Sequence, residues 1–268
     1  MEKIAIFGVP RSGTSWLSAI FNSHPDVAMR FQPLFSYEHK GRLDERSTGA
    51  EIDEFFAEIL ASRDEFALMH APYHKNYPRF AKSASPSHIA FKETRYLNIV
   101  ANMLAQNPGV KVVGIVRNPL ATLASWIQLP KEFDPVWNLA DEWRAAPGKN
   151  QNRPEEFFGF DKWKRSALDF LDFAARYPQQ FKWVSYKRLH DDPMGAATEL
   201  LEFCGLKTHP QVVEFIAQSG VKHDGDDPYS VYRAKADDTR WREILPGFVV
   251  DEVRRELAAS PLEDLLSE

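Results

Sequence analysis

The stretch Ile4-Ala5-Ile6-Phe7-Gly8-Val9-Pro10-Arg11-Ser12-Gly13-Thr14-Ser15-Trp16 decides the fold. Residues 4–7 are an apolar run typical of a buried strand, and the apolar residues from Trp16 to Phe21 follow helical spacing. Two glycines separated by four residues join the two patterns. In a strand, glycine loop and helix of this kind, the free N–H groups of the loop and of the first helical turn suit a phosphate. The sequence therefore predicts a phosphate-binding loop over residues 8–16.

This loop departs from the nucleoside-triphosphate pattern at one position. Thr14 stands where that pattern has the lysine that contacts the β- and γ-phosphates, and the nearest cation is Arg11, inside the loop. The missing lysine argues against a triphosphate ligand, and a cation earlier in the loop favours a shorter phosphate chain. The alternative at this point is a glycine turn that binds no ligand.

A second anion site is predicted where the clearest buried strand of the chain ends. Residues 110–116 contain five β-branched residues, Arg117 follows them directly, and Ser125 comes eight residues later on the predicted helix of this strand–helix unit, residues 110–127. An arginine fork and a hydroxyl at the carboxyl end of a central strand suit a phosphate. A magnesium-binding strand would end in aspartate at this place. We therefore expect an anion site without metal.

Apolar runs that alternate with helical patterns predict an α/β fold, a single-domain P-loop-type parallel sheet flanked by helices on both faces, over residues 1–268. The further predicted strands lie at 27–31, 89–91 and 181–185. The further predicted helices lie near 51–62, 97–104, 161–176, 195–204 and 210–218, with one more at the C-terminus. Polar, proline-containing segments at 30–48, 70–88 and 128–160 are predicted to form lid or acceptor loops.

Composition narrows the function classes. A formal net charge of −5 argues against nucleic acid or an anionic membrane as the main partner. The single cysteine, Cys204, excludes an intramolecular disulfide and a cysteine-based metal site. The N-terminus lacks the form of a signal peptide, and no stretch approaches the length of an apolar membrane helix. We expect a cytoplasmic protein; the sequence does not indicate its oligomeric state.

The residues Pro10 to Trp16 resemble the 5′-phosphosulfate loop of sulfotransferases that use 3′-phosphoadenosine 5′-phosphosulfate (PAPS). The pattern is most similar to that of bacterial and carbohydrate-type members. The resemblance implies that the N–H groups of Ser12 to Trp16, with the hydroxyls of Thr14 and Ser15, hold the phosphosulfate. It also implies that Arg11 stabilises charge on the bridging oxygen as the S–O bond breaks.

The resemblance extends to the other half of the nucleotide. Arg117 and Ser125 match the family's 3′-phosphate motif, and Arg233 and Lys235, in a C-terminal basic loop at 229–242, resemble the segment that closes over that phosphate. Tyr186 matches the tyrosine that approaches the adenine, and Trp16 is expected either to stack on the adenine or to lie in the core. The implied reaction transfers the sulfuryl group of PAPS, without metal, to a hydroxyl or amine of a small-molecule or carbohydrate acceptor. The product is adenosine 3′,5′-bisphosphate (PAP).

The catalytic base is the least defined part of the predicted site. Residues 91–97 contain no histidine and resemble the Lys-x-x-Arg segment of carbohydrate sulfotransferases, while Gln32 stands where those relatives often have a glutamate. An amide cannot accept a proton at neutral pH, and Glu93 is therefore the first candidate. The alternative bases are His70, His74 and His88. The alternative functions are a P-loop kinase for a small metabolite and a PAPS- or PAP-binding protein that has lost catalysis.

Overall fold

A computed structural model describes residues 1–70, 77–222, 230–232 and 237–266. Within these residues, five strands form one parallel sheet in the order β2-β3-β1-β4-β5. The strands are β1 (Glu2–Phe7), β2 (Val27–Phe31), β3 (His88–Glu93), β4 (Val110–Val116) and β5 (Phe181–Ser185). The prediction of a parallel α/β sheet is confirmed. Of the five predicted strands, those at 27–31, 110–116 and 181–185 have the observed bounds; β1 begins earlier than predicted, and β3 is longer than predicted at both ends.

Twelve helices accompany the sheet in the described residues. They are α1 (Thr14–Ser23), α2 (Gly49–Ala61), α3 (Val100–Gln106), α4 (Pro119–Ile127), α5 (Leu139–Glu142), α6 (Pro147–Asn150), α7 (Phe160–Arg176), α8 (Tyr186–Asp191), α9 (Pro193–Phe203), α10 (Pro210–Val221), α11 (Trp241–Ile244) and α12 (Gly247–Leu257). The segment 128–160, predicted as a long ordered excursion, contains the two short helices α5 and α6. In the part of the chain that the structure describes, no helix is long and apolar enough to cross a membrane.

Alternate residues of β1 bury their side chains in two separate cores. Ile4 and Ile6 pack with α1, α9 and α10, whereas Ala5 and Phe7 pack with α2, α3, α4, α7 and α12. Because successive side chains of a strand point to opposite faces, a strand covered by helices on both faces reads as a nearly continuous apolar run. This explains the continuous apolar runs in the sequence and confirms the prediction of helices on both faces.

The connections reverse direction between β1 and β4. From β1 the chain passes through α1 to β2, on one side of the sheet, whereas from β4 it passes through α4 and α7 to β5, on the other side. The loops that leave these two neighbouring strands therefore separate and open a crevice at their carboxyl ends. Ligands of open α/β sheets bind in such crevices. Both phosphate motifs predicted from the sequence begin there.

Candidate active site

A cleft at the carboxyl edge of the sheet is lined by residues that follow all five strands. Its lining residues in the described part of the chain are Pro10, Arg11, Gly13, Thr14, Ser15, Phe31, Gln32, Lys92, Thr94, Arg117, Glu132, Tyr186 and Ser230. Arg11, Lys92 and Arg117 place three cations around this space, in a protein whose net charge is −5. The positive charge that an anionic ligand needs is thus concentrated locally.

The glycine loop approaches its neighbours too closely to carry side chains at two positions. A Cβ atom on Gly8 would lie 2.7 Å from the carbonyl oxygen of Ile115, and one on Gly13 would lie 2.5 Å from Cδ2 of Tyr186. Gly13 also has a φ of 90°, which glycine adopts at low cost, and it is the N-cap of α1. The hydroxyl of Ser12 is buried and has no hydrogen-bond partner among the described residues. The loop therefore has the close backbone approach and the polar groups of a phosphate cradle.

Replacement of Gly13 by alanine is expected to cost more stability than the same change at Gly41. Both residues have a positive φ, which costs a non-glycine residue about 1–2 kcal/mol. Only at Gly13 would the new methyl group overlap a ring, since nothing lies within 4 Å of a Cβ on Gly41. Overlap of this kind adds roughly 1–3 kcal/mol. Urea unfolding of the two variants measures the difference, and equal losses would contradict the close contact between Gly13 and Tyr186.

Arg117 is held at the crevice by contacts on several sides. Its Nη1 donates a hydrogen bond to the carbonyl oxygen of Arg11 at 3.0 Å, and its Cζ lies 4.8 Å from the ring centroid of Tyr186. Its Nε donates to Oδ1 of Asp238 at 2.6 Å, and its Nη2 is also ion-paired with that carboxylate. The guanidinium is thus fixed beside the glycine loop. Its present partner is a carboxylate, which has the charge and oxygen spacing that suit an arginine fork.

The residues predicted for the two phosphates lie next to each other. Nε of Arg11 donates a hydrogen bond to Oγ of Ser125 at 3.1 Å, which links the loop after β1 to the helix after β4.

The other residues predicted to bind the nucleotide have different positions. Tyr186 is buried beside Gly13 and contacts Arg117. Trp16 is 2% exposed and donates its indole N–H to Ser219 at 3.1 Å, so its ring lies in the core, one of its two expected places. Arg233 and Lys235 lie outside the described residues.

Lys92 and Glu93 are adjacent on β3 and have different surroundings. The Lys92 ammonium group lies 4.1 Å from the ring centroid of Phe31 and lines the cleft. Glu93 is fully buried and is not among the lining residues; its Oε1 accepts the backbone N–H of Leu34 at 2.8 Å. Burial lowers the pKa of Lys92 and raises the pKa of Glu93. This position does not support the predicted role of Glu93 as the base.

The alternative bases are also displaced from the cleft or outside the described residues. His88 begins β3, at the opposite edge of the sheet, and its ring contacts the carbonyl oxygen of Cys204 at 3.0 Å. His70 lines a separate cavity beside β2. His74 lies outside the described residues. Gln32 does line the cleft, where its Nε2 donates to Oγ1 of Thr94 at 2.6 Å. In the described residues no group of three or more His, Cys, Asp or Glu side chains could hold a metal ion.

The sequence profile of the sulfotransferase family matches residues 3–210 of the chain. The chain belongs to the sulfotransferase family. Nodulation protein H of Rhizobium tropici is 25% identical over 224 residues, which are 78% of this chain and 77% of that protein. Nodulation protein NoeE of Sinorhizobium fredii is 27% identical over 45% of this chain and 30% of its own length. Human carbohydrate sulfotransferase 3 is 26% identical over 59% of this chain and 34% of its own length. The matched region is therefore less than half of the last two proteins.

Solved sulfotransferase structures share the fold. Mouse sulfotransferase SULT7A1, crystallised with PAP, superposes with a TM-score of 0.57 at 15% identity and covers 99% of this chain and 88% of its own. The sulfotransferase domain of the Synechococcus olefin synthase gives a TM-score of 0.53 at 16% identity, with 95% and 94% coverage. At such low identities the likeness shows the fold of this sulfotransferase and leaves its ligands to be inferred from its own residues.

Proposed function

We propose that this sulfotransferase moves the sulfuryl group of PAPS to a hydroxyl or amine of a small-molecule or carbohydrate acceptor and releases PAP. The observation that supports it is the convergence of the glycine loop and Arg117 on one crevice. The carbonyl oxygen of Arg11 and Nη1 of Arg117 are 3.0 Å apart. Two anion sites at the ends of adjacent strands suit a nucleotide that carries phosphates at both its 3′ and its 5′ position.

The residues of the crevice fit this donor. Backbone N–H groups of Ser12 to Trp16 would hold the 5′-phosphosulfate, because the first turn of a helix has no internal acceptors for them. The hydroxyls of Thr14 and Ser15 would add hydrogen bonds. Arg117, with Ser125 and the proposed Arg233 and Lys235, would hold the 3′-phosphate, and Tyr186 would face the base. Arg11 and Lys92 would face the oxygen that links phosphate to sulfur.

A small-metabolite kinase is disfavoured by the same residues. Thr14 occupies the position of the triphosphate lysine, and Arg117 directly follows β4, where a magnesium site needs a carboxylate. The acceptor is assigned only by class. The loops predicted at 30–48 and 128–160 contribute Gln32 and Glu132 to the cleft. The name of one relative, human carbohydrate sulfotransferase 3, supports a carbohydrate acceptor.

PAP is expected to raise the melting temperature of the protein in the presence of EDTA. A ligand that binds only the folded state stabilises it by about 2.7 kcal/mol at a hundred times its dissociation constant. Adenosine 5′-monophosphate, which lacks the 3′-phosphate, is the matched control and should give a smaller shift. Thermal unfolding at millimolar ligand measures both. No shift with PAP, or a larger shift with ATP and magnesium, would contradict the proposed donor.

A further inference from the structure

Sulfuryl transfer needs a group that takes the proton of the acceptor, and one carboxylate reaches the cleft. Of the described residues that line it, Glu132 is the one acidic side chain. Glu93 is buried away from the cleft and bonded to Leu34, and Asp238 is paired with Arg117. Gln32 lines the cleft, but an amide cannot act as a base at neutral pH. We propose that Glu132 is the general base for the acceptor, an inference that rests on the proposed function.

The backbone of Glu132 is held by a buried ring of the preceding helix. The indole N–H of Trp126 donates to the carbonyl oxygen of Glu132 at 3.1 Å, and the N–H of Glu132 donates to Leu129 at 2.8 Å. The Trp126 ring is 2% exposed and packs edge-on against Phe133, with 5.1 Å between centroids. A catalytic side chain needs a backbone held in this way, because a displacement of the reacting group by about 1 Å can cost a large part of the rate.

The charged groups around the cleft suit a general base at Glu132. Burial lowers the pKa of Lys92, whereas the negative charges of Glu93 and, less strongly, of Glu132 raise it. The Glu132 carboxylate and the two cations Arg11 and Lys92 thus border one space. When Glu132 takes a proton it becomes neutral, and the two cations then face the charge that develops on the departing phosphate oxygen.

The step conserves atoms and electrons. A lone pair of the acceptor oxygen or nitrogen forms the new bond to sulfur, and the bond from sulfur to the bridging oxygen breaks. The electron pair of that bond remains on the 5′-phosphate of PAP. The acceptor proton moves to a carboxylate oxygen of Glu132 and from there to solvent after the products leave. No oxidant, reductant or metal enters the balance.

The test compares Glu132→Gln with Asp141→Asn. Asp141 is an exposed carboxylate of the same 128–160 segment that lies outside the cleft lining, so its variant makes the same change of charge without touching the site. Glu93→Gln is made in parallel, because it tests the base predicted from the sequence. Release of PAP from PAPS is followed with phenol, 4-nitrophenol and a neutral oligosaccharide as acceptors. Binding of PAP to each variant is measured by its thermal shift.

Glu132→Gln should lower kcat/KM for phenol or the sugar by about 10²–10⁴-fold, with PAP binding unchanged. The loss should be smaller for 4-nitrophenol, whose more acidic hydroxyl needs less help from a base. Asp141→Asn should behave as the wild type.

Two outcomes would overturn the assignment of Glu132. One is near-wild-type turnover for Glu132→Gln with all acceptors; the other is a loss of the same size for phenol and 4-nitrophenol. A wild-type protein that does not bind PAP would instead contradict the proposed function. PAP binding without transfer to any acceptor would contradict both and would favour the inactive binding protein.

Discussion

Replacement of Arg11 by alanine is expected to lower turnover by about 10²–10³-fold while the affinity for PAP falls much less. This is the loss measured when one donor to a developing negative charge is removed from an active site. Arg11 projects from the glycine loop with a φ of 71°, and its Nε donates to Ser125. The guanidinium is therefore fixed beside the place proposed for the bridging oxygen. An interaction that strengthens as the S–O bond breaks affects kcat more than binding.

Arg11→Lys is the companion variant and should retain part of the lost rate, because a point cation can stabilise charge on a single oxygen. Steady-state kinetics with PAPS, together with thermal shifts in PAP, separate the two effects. If PAP affinity and turnover fall by the same factor, Arg11 acts in uniform binding of the nucleotide, and its proposed role at the leaving oxygen is contradicted.

Replacement of Arg117 by alanine is expected to weaken PAP binding by about 10- to 150-fold. This factor corresponds to roughly 1.5–3 kcal/mol for a hydrogen bond to a charged group. Adenosine 5′-phosphosulfate lacks the 3′-phosphate, so its binding should change far less. The backbone carbonyl of Arg117, which accepts the indole N–H of Trp163 at 2.9 Å, is retained in the variant. The fold around the site should therefore persist.

Arg117→Lys keeps the charge and loses the fork, and its affinity for PAP should lie between those of the wild type and the alanine variant. Isothermal titration with both nucleotides gives the comparison. An equal loss for PAP and adenosine 5′-phosphosulfate would remove Arg117 from the proposed 3′-phosphate site.

The sheet could be predicted, and the two proposed anion-binding motifs could be located, because each motif directly follows an apolar strand. Apart from Lys111 near its start, the strand that ends at Val116 is apolar, so the charge of Arg117 marks its carboxyl end clearly. The crevice between β1 and β4 then follows from the right-handed connections of a parallel sheet. The short loop at residues 8–16 could be recognised from its sequence alone, since its two glycines and its arginine occur at a characteristic spacing.

The orientation of Lys92 and Glu93 could not be predicted in the same way. The sequence indicated a strand at 89–91, whereas β3 extends from His88 to Glu93 and includes both charged residues. Which of two adjacent side chains faces the cleft depends on the alternation along the strand. A strand buried on both faces has no apolar–polar alternation from which to read it. The side chain of Lys92 reaches the cleft and that of Glu93 does not.

Glu132 and Asp238 could not be predicted because they come from irregular segments. Glu132 lies in a turn after α4, in a segment whose prolines and polar residues show no periodicity. Asp238 is 121 residues from Arg117 in the chain, and no local motif connects them. Only the tertiary structure brings these two carboxylates to the site, whereas the cations Arg11 and Arg117 could be assigned to it from the sequence.

The ion pair between Arg117 and Asp238 also bears on how such a site would behave among the many nucleotides of a cell. Under the proposed function, a 3′-phosphate would offer Arg117 a stronger anion in place of the Asp238 carboxylate, and this exchange of partners would favour binding of the nucleotide. A nucleotide with phosphates only at the 5′ end has no group that could replace the Asp238 carboxylate. With such a nucleotide, the Arg117–Asp238 pair would either stay intact or separate without a new partner for Arg117. The Asp238 carboxylate would then favour nucleotides that carry a 3′-phosphate over abundant adenine nucleotides that lack one.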